Sequence, residues 1–506
     1  MNVPSRLAPY EEGLGLSARG QHALAIERFE EALARAPDDV RVLFALGNTA
    51  RVLGLAQPAE AFFRRVLAQE PNRLEALINL ANLLRVQGNF TAAEALLLPA
   101  MTCHHDSPEF WLTLGSIYRE TGDRIRAKEH YCKALEHHPN YPPAMGNLAD
   151  LLADDGYTED ALSLYDRVLQ LEKDNAQARL NRAVLHLSHG NLKDGWRDYT
   201  ARLKIPGKSP IADHKLVRWS GGALKRQRLL ITAEQGIGDQ LMFASMIPDL
   251  IGRAVEADAS LILECEPRLA PLFARSFPAV TVRPWDAQTR GGVPKTRYGW
   301  LRNVGGATSA IEMGSLPRYL RPTLQSFPLP NTYLIPDPEE VLRWRVAFSD
   351  RPAIGICWRS GKMGGHRSLQ YAPLEAWGAF VRDWPWAIVS AQYDATPEEI
   401  DALQSLSGKT ILVPQAIDQK TELDRACALL ASLDAVVSAP TAVSWLASAT
   451  GVPTYKILYD KSWTSFGEAY EPFAPVGMCM TPDTRGDWAD SFAKARKALS
   501  ARFSAA

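Results

Sequence analysis

The sequence predicts an α-helical solenoid followed by an α/β module of two lobes. Two observations carry this. The first 200 residues repeat on a 34-residue grid, and the remainder alternates short apolar runs with helical stretches. Pro37, Pro71 and Pro139 fall on the grid, and repeats begin at about Arg6, Val40, Leu74, Pro108, Pro142 and Ala176. Leu46-Gly47, Leu80-Ala81, Leu114-Gly115 and Leu148-Ala149 recur in the first half of the repeat. Ala25, Ala59, Ala93, Ala127 and Ala161 recur in the second half, followed by Phe29, Phe63, Leu97, Tyr131 and Tyr165.

Each repeat reads as two amphipathic helices. The small residues let the first helix approach the second, and the large ones are expected to fill the space between repeats. Trp111-x-x-Leu114-Gly115-x-x-Tyr118 brings the pattern close to the tetratricopeptide family, which it resembles. Arrays of that family bind other polypeptides, so a protein partner is expected. Five repeats are clear and a sixth is degenerate. The sixth ends in Gly195-Trp196-Arg197-Asp198-Tyr199, where Trp196 and Tyr199 share a helix face. They are expected to cap the array against the next domain.

Ile205-Pro206-Gly207-Lys208-Ser209-Pro210 cannot continue a helix. The expected division is an array over 1–203, a linker over 204–225, a first lobe over 226–332 and a second over 333–506. Strands are expected at Arg228–Thr232, Ser260–Glu264 and Val280–Val282 in the first lobe. In the second they are expected at Ala353–Trp358, Ala387–Ser390, Thr410–Val413 and Ala435–Ser438. Strands alternating with helices imply parallel sheets covered on both faces. The final helix, about Trp488 to Phe503, is expected to pack back across the lobes.

Composition narrows the function. With 56 basic and 57 acidic residues the chain lacks the basic footprint of a nucleic-acid protein. Its six cysteines are scattered, without a C-x-x-C pair, and read as reduced thiols. The sequence shows no apolar run of membrane-spanning length and no signal-peptide pattern, so a cytoplasmic location without membrane insertion is expected. No H-E-x-x-H, EF-hand loop or post-strand D-x-D occurs, so neither a metal site nor a resident cofactor is expected.

Three segments bear chemistry. Glu234-Gln235-Gly236-Ile237-Gly238-Asp239 follows the first strand of the first lobe and opens a helix. Gly236 and Gly238 would permit a tight turn and close approach of a ligand, and the helix start offers free N–H donors to an anion. It matches neither the G-x-G-x-x-G fingerprint nor a P-loop. Asp239 suits a general base in a cleft, and equally a helix cap. Trp358-Arg359-Ser360-Gly361-Lys362 through Arg367-Ser368 follows the first strand of the second lobe. Its Arg359, Lys362 and Arg367 can hold a phosphate, or can be solvated charges on an exposed loop. Ser438-Ala439-Pro440-Thr441 ends a strand and starts a helix, placing Thr441 either at an anion or ribose site or at a plain N-cap. His104-His105 and His137-His138 read as exposed turn residues.

Together these residues resemble bacterial proteins in which a tetratricopeptide array precedes a GT-B type glycosyltransferase. The marks are Gly195-Trp196-x-x-Tyr199-x-x-Arg202, Glu234-Gln235-Gly236-x-Gly238-Asp239 and Gly314-Ser315-Leu316-Pro317. In the second lobe they are Trp358-Arg359-x-Gly361, Arg367-Ser368, Leu433-Asp434-Ala-Val-Val-Ser438, Thr441-Ala442-Val443 and Gly451-Val452-Pro453. The resemblance implies two Rossmann-like lobes with catalysis in the cleft and a nucleotide-sugar donor mainly against the second lobe. The Gly-Asp element is also similar to the N-terminal loop of heptosyltransferases, whose Asp is the candidate base. By that match Asp239 takes the acceptor's proton, Gly236 and Gly238 approach the ligand, and Arg359, Lys362, Arg367, Ser368, Ser438 and Thr441 contact the donor. The broader family reads Asp-Thr-Ala-Val-Ala-His where this chain has Pro440-Thr441-Ala442-Val443-Ser444-Trp445. That form resembles the subgroup that modifies flagellin with nonulosonic sugars such as pseudaminic acid, supplied as CMP derivatives. A CMP-sugar leaves a monophosphate and needs no metal.

Asn79, Asn147 and Asn181 share the sixth position of their repeats. The eukaryotic O-linked N-acetylglucosamine transferase has a similar layout, and its Asn ladder holds the acceptor backbone. The resemblance therefore implies acceptor binding here, although Ala45 and Thr113 interrupt the ladder. Packing between repeats is the alternative. The expected function is a protein O-glycosyltransferase acting on Ser or Thr hydroxyls of a recruited acceptor, flagellin first. The rivals are a transferase acting on lipid-linked or surface glycans and a non-catalytic adaptor with a decayed α/β module.

Overall fold

The computed structural model describes residues 8–503 apart from 208–210, 235, 291–292, 329–331, 349–350 and 362–364. The chain divides into two compact bodies, Met1–Asp174 and Asn175–Ala506.

The first body is built of helix pairs. They are Ala8–Ala18 with His22–Arg35, Val40–Val52 with Ala56–Gln69, Leu74–Val86 with Phe90–Leu97, Pro108–Glu120 with Arg124–His137, and Pro142–Asp154 with Thr158–Leu171. Four first helices begin at the predicted residue, because each turn ends where the apolar period restarts. The turn inside each pair carries a glycine at positive φ: Gly20, Gly54, Gly88, Gly122 and Gly156, again 34 apart. That left-handed position strains any other L-residue. The large residues differ from expectation. Phe63 and Tyr131 sit on the glycine of their own pair, where a Cβ on Gly47 would fall 2.7 Å from Phe63 and one on Gly115 2.6 Å from Tyr131. The missing side chains let the two helices close on an aromatic ring inside the repeat.

The second body starts one helix pair earlier than the predicted boundary at 203. Its helices Ala176–Ser188 and Leu192–Tyr199 complete the 34-residue grid, with Gly190 at positive φ, but they fold with the α/β module. Trp196 is the reason. It is 2% exposed, donates Nε1–H to Arg321 O at 3.0 Å and meets the rings of Trp463, Phe466 and Phe473 edge-on.

In chain order the strands are β1 Ile211–Ala212, β2 Val217–Arg218, β3 Arg228–Thr232, β4 Ser260–Cys265, β5 Thr281–Pro284, β6 Ala287–Arg290, β7 Val293–Thr296 and β8 Ser309–Glu312. They continue with β9 Ala353–Cys357, β10 Ala387–Ser390, β11 Ile411–Leu412, β12 Ala435–Ser438, β13 Thr454–Ile457 and β14 Gly477–Met480. One sheet has the order β2-β8-β3-β4-β5, a second β11-β10-β9-β12-β13-β14, and β1-β7-β6 form a small third. Pairings in the two large sheets are parallel. Counted from its first strand, the second sheet runs 3-2-1-4-5-6, the doubly wound order. Each large sheet is buried on both faces: Leu229 and Ile231 enter one core and Leu230 another, and Cys357 and Ile356 divide the same way. The apolar runs therefore show no alternation.

Two further expectations are corrected. The supposed linker over 204–225 contains β2, an edge strand pairing Val217 with Ser309, so part of it belongs to the first sheet. The helix Trp488–Phe503 does not bridge the lobes. Phe492, Ala495 and Leu499 pack into the core of the second sheet with Trp377 and Phe380. Among the described residues no helix is long and apolar enough to cross a membrane. The six cysteines are free thiols; Cys265, Cys357, Cys427 and Cys479 are buried, and Cys103 is exposed.

Candidate functional site

In doubly wound sheets, ligands bind beyond the carboxyl ends of the strands where the strand order reverses. A cavity of about 890 Å³ lies there in the second body. Its walls come from both lobes: Gly236, Gly238 and Asp239 after β3, Ser360 and Gly361 after β9, and Pro440, Thr441 and Ala442 after β12.

Two helix starts meet in this cavity. Ile237–Ala244 begins after Gly236, and Ala442–Ala449 begins after Thr441. A Cβ on Gly238 would lie 3.8 Å from Ala442 Cα and 3.6 Å from Trp445 Cδ1, so glycine brings the two helix ends together. Gly236 is extended at φ −82°, and neither Gly236 nor Gly238 takes a left-handed conformation. The facing first turns bring helix-start N–H groups and two positive dipole ends to one volume, an arrangement suited to an anion. Asp239 lines the cavity, and its Oδ2 also accepts the Gly236 N–H at 3.1 Å. Its side chain thus fits both sequence readings at once, cap and cavity carboxylate.

Glu234, just upstream, is 3% exposed and points away from the cavity chemistry. It accepts from the guanidinium of Arg202, through Nη2 and through Nε at 3.1 Å, and from Gly314 N–H at 2.8 Å. Arg202 also donates to Ser315 Oγ at 2.9 Å. Three sequence marks far apart in the chain therefore form one buried cluster behind the Gly236 loop.

The residues of the second lobe expected to contact a donor do not all meet at the cavity. Arg359 does not line the cavity. Its fork binds Glu399 through Nε and Nη2 (2.7 Å for the latter) and Asp394 Oδ1 at 3.0 Å. These two acids neutralise it, so the expectation that it faces a phosphate is corrected: it anchors the loop. Ser438 is fully buried and donates to Ala439 O at 2.6 Å, which removes it from ligand contact. Ser368 lies in the helical turn Gly365–Gln370, away from the described lining. Lys362 and the Arg367 side chain lie outside the described residues. Thr441 does line the cavity. It occupies the N-cap position without a capping side-chain bond, and its Oγ1 lies 3.4 Å from Ser438 Oγ and 3.6 Å from Cys357 Sγ. Burial pushes the Cys357 thiol up to about 11, so it stays protonated.

The structure adds groups that the sequence reading missed. Lys456 on β13 and Glu471 line the cavity floor, with Thr464, Trp445 and Trp463 beside them. Lys456 Nζ bonds Glu471 Oε1 at 2.8 Å and stands 3.4 Å from the centre of the Trp445 ring. A lone lysine inside an apolar strand was the available signal, since buried lysines require partners. Arg268 and Lys420 line the rim, where Arg268 bonds Glu266 Oε1 and Lys420 O, each at 2.7 Å.

The Asn positions resolve locally. Asn79 Nδ2 donates to Asn48 Oδ1 at 2.8 Å and Asn147 Nδ2 to Ser116 Oγ at 3.4 Å, each in the preceding repeat. Asn181 Oδ1 accepts from Gln177 at 2.6 Å. Asn79 and Asn147 therefore bridge repeats, which engages part of their hydrogen-bonding capacity.

The class of the N-terminal region follows from comparison. Models described as tetratricopeptide repeat match residues 53–117, residues 10–73 and 147–199, and residues 108–141. The N-terminal region carries tetratricopeptide repeats, joined to an α/β module of parallel sheets.

Among characterised sequences the chain is similar to Protein FlbA of Caulobacter vibrioides, 33% identical over 332 residues. The match covers 65% of this chain and 55% of that protein, so the chain spans about half the length of the curated relative it matches. The helix pairs end at Tyr199, so a match of that length takes in part of the α/β module. Solved structures similar to the repeats include a thermophilic TPR protein of Thermus thermophilus, at 25% identity and TM-score 0.32 over 36% of this chain and 100% of that one. Another is PilF of Pseudomonas aeruginosa, at 24% identity and TM-score 0.34 over 39% of this chain and 89% of that one.

Proposed function

We propose that the protein is a GT-B type glycosyltransferase. It transfers a sugar from a nucleotide-sugar, a CMP-nonulosonic acid foremost, to Ser or Thr hydroxyls of a protein recruited by the repeats, with flagellin as the leading acceptor. One observation carries the reading: two lobes, each built on a parallel sheet, share a cavity at their strand ends, where the helix starts at Ile237 and Ala442 face each other beside Asp239.

In this reading Asp239 accepts the proton of the acceptor hydroxyl as its oxygen attacks the anomeric carbon. The bond from that carbon to the phosphate oxygen breaks, and the nucleotide leaves as its phosphate. The first turn of Ala442–Ala449 and Thr441 stabilise the departing anion. Arg359 is committed to Glu399 and Asp394, and the two helix starts add their dipoles to the positive groups of the lining, Arg268 and Lys420 among them. The repeats supply the acceptor.

Asp239→Asn tests the base. Asparagine keeps an oxygen to accept the Gly236 N–H but cannot take a proton at neutral pH. Acceptor glycosylation, read by intact mass of the acceptor from cells carrying each variant, is expected to fall by roughly 10²–10⁴-fold, with nucleotide binding retained. Full glycosylation by Asp239→Asn would refute the assigned base. An unaltered cellular phenotype with Asp239→Asn and no nucleotide binding by the wild type would leave the adaptor reading in its place.

A further inference from the structure

The cavity floor contains a carboxylate with one oxygen used and one idle. Glu471 is 1% exposed. Its Oε1 accepts from Lys456 Nζ at 2.8 Å, Thr464 Oγ1 at 3.0 Å and Cys479 Sγ at 3.7 Å. Its Oε2 has no hydrogen-bond partner among the described residues. A buried acceptor left unpaired is costly, and one on an ionised group more so. Glu471 nevertheless stands among the residues that line a cavity of about 890 Å³. Lys456 is equally constrained: it is 1% exposed, bonded to Oε1 and packed on the Trp445 ring. The pair holds the carboxylate still and cancels most of its charge.

We propose, resting on the glycosyltransferase reading, that Glu471 Oε2 is a specificity-determining acceptor for a hydroxyl or amide N–H of the transferred sugar. The chemistry selects the group. A carboxylate oxygen repels phosphate or a second carboxylate and accepts only a hydrogen donor. The anion-attracting helix starts lie at Gly236 and Thr441, on other elements than Lys456 and Glu471. Trp463 lines the same floor beside Trp445, one face of which Lys456 covers, and offers apolar ring surface to the carbon skeleton of a sugar. Lys456 acts through Glu471 as a positioning residue.

The test compares binding of CMP and of CMP-N-acetylneuraminate to the full chain by calorimetry, for wild type and two variants. One variant is Glu471→Gln. The other is the double change Lys456→Met with Glu471→Leu, which replaces the buried ion pair by apolar groups and guards against loss of the fold. Wild type is expected to bind the sugar nucleotide more tightly than CMP. Both variants are expected to lose at least about tenfold, roughly one buried charged hydrogen bond, toward the sugar nucleotide while binding CMP as before. Equal weakening toward both ligands, no weakening toward either, or unfolding of both variants assigns the pair a purely structural role and overturns the proposal. A wild type that binds CMP and its sugar derivative equally overturns it too. Failure of the wild type to bind either ligand instead refutes the CMP-donor reading on which the proposal rests.

Discussion

Arg202 and Glu234 form a buried ion pair that ties the last helical turn of the sixth repeat to the loop entering the cavity helix. The Arg202 side chain is fully buried and that of Glu234 is 4% exposed. Gly314 must remain glycine beside them, because a Cβ there would fall 2.7 Å from Glu234 Oε1 and 3.0 Å from Arg202 Nη2. The sequence motifs at 195–202, 234–239 and 314–317 thus describe one packing solution, and among their described residues Gly236, Ile237, Gly238 and Asp239 line the cavity.

Removing one partner leaves an uncompensated buried charge. Arg202→Met is expected to destabilise the second body by roughly 3–5 kcal/mol. Adding Glu234→Leu to it is expected to recover a large part of that loss. Urea melts of the single and double variants check this. A single variant as stable as wild type would show that the pair is not coupled to folding.

Two glycines on first helices of neighbouring repeats predict opposite signs. Gly115→Ala puts a methyl 2.6 Å from the Tyr131 ring and 3.3 Å from Ala127 O, and is expected to cost roughly 1–3 kcal/mol. Gly146 lies in the helix Pro142–Asp154 with open space around its Cβ position. Gly146→Ala is expected to stabilise by roughly 0.5–1 kcal/mol through helix propensity. Scanning calorimetry of the full-length variants reads both shifts.

Much of this was legible in the sequence. The grid located helix starts at Val40, Leu74, Pro108, Pro142 and Ala176 because each repeat solves the same packing problem. Strands that are buried on both faces, such as Ala353–Cys357, stood out as apolar runs. Val217–Arg218, Ser309–Glu312 and Thr454–Ile457 did not, because each is short and carries a charge whose partner lies elsewhere in the sequence: Arg218 pairs with Glu312, and Lys456 with Glu471. Arg359 misled for the same reason. Its acids lie 35 and 40 residues downstream, so local composition shows a free cation where the fold pairs Arg359 with Asp394 and Glu399. The division of compact bodies after Asp174 was not legible, because periodicity reports which helices look alike, not which body buries Trp196.

Glu264 makes stability pH-dependent in an unusual direction. Burial pushes its carboxyl up from 4.5 to about 7, against hydrogen bonds from Tyr298 OH at 3.0 Å and Ala233 N–H at 3.1 Å; Oε1 lacks a partner among the described residues. The native state therefore holds a proton that the unfolded chain releases above about pH 4.5. This contribution is fully present below that pH and is lost as pH rises through about 7, on the order of 3 kcal/mol in all. Glu264→Gln keeps the neutral amide and is expected to flatten the dependence and raise Tm at pH 8. Melting curves from pH 5 to 8 check it, and parallel slopes for wild type and variant would exclude this assignment.

The division at Asp174 predicts where the chain can be cut. Removing residues 1–174 keeps the helices Ala176–Ser188 and Leu192–Tyr199, with Trp196 still filling the space among Trp463, Phe466 and Phe473. Removing residues 1–203 strips away Trp196, Tyr199 and Arg202 together. Loss of a buried Trp alone costs roughly 3–5 kcal/mol, and the orphaned Glu234 adds to that. The shorter deletion is expected to give a folded protein with a cooperative melt close to that of the second body in the full chain. The longer one is expected to melt at markedly lower temperature or to aggregate. Under the proposed function the shorter deletion also retains nucleotide binding while losing acceptor glycosylation, since it removes the repeats of the first body and leaves the cavity intact. Equal behaviour of the two deletions in melting experiments would place the boundary back at 203 and deny Trp196 its role in the fold.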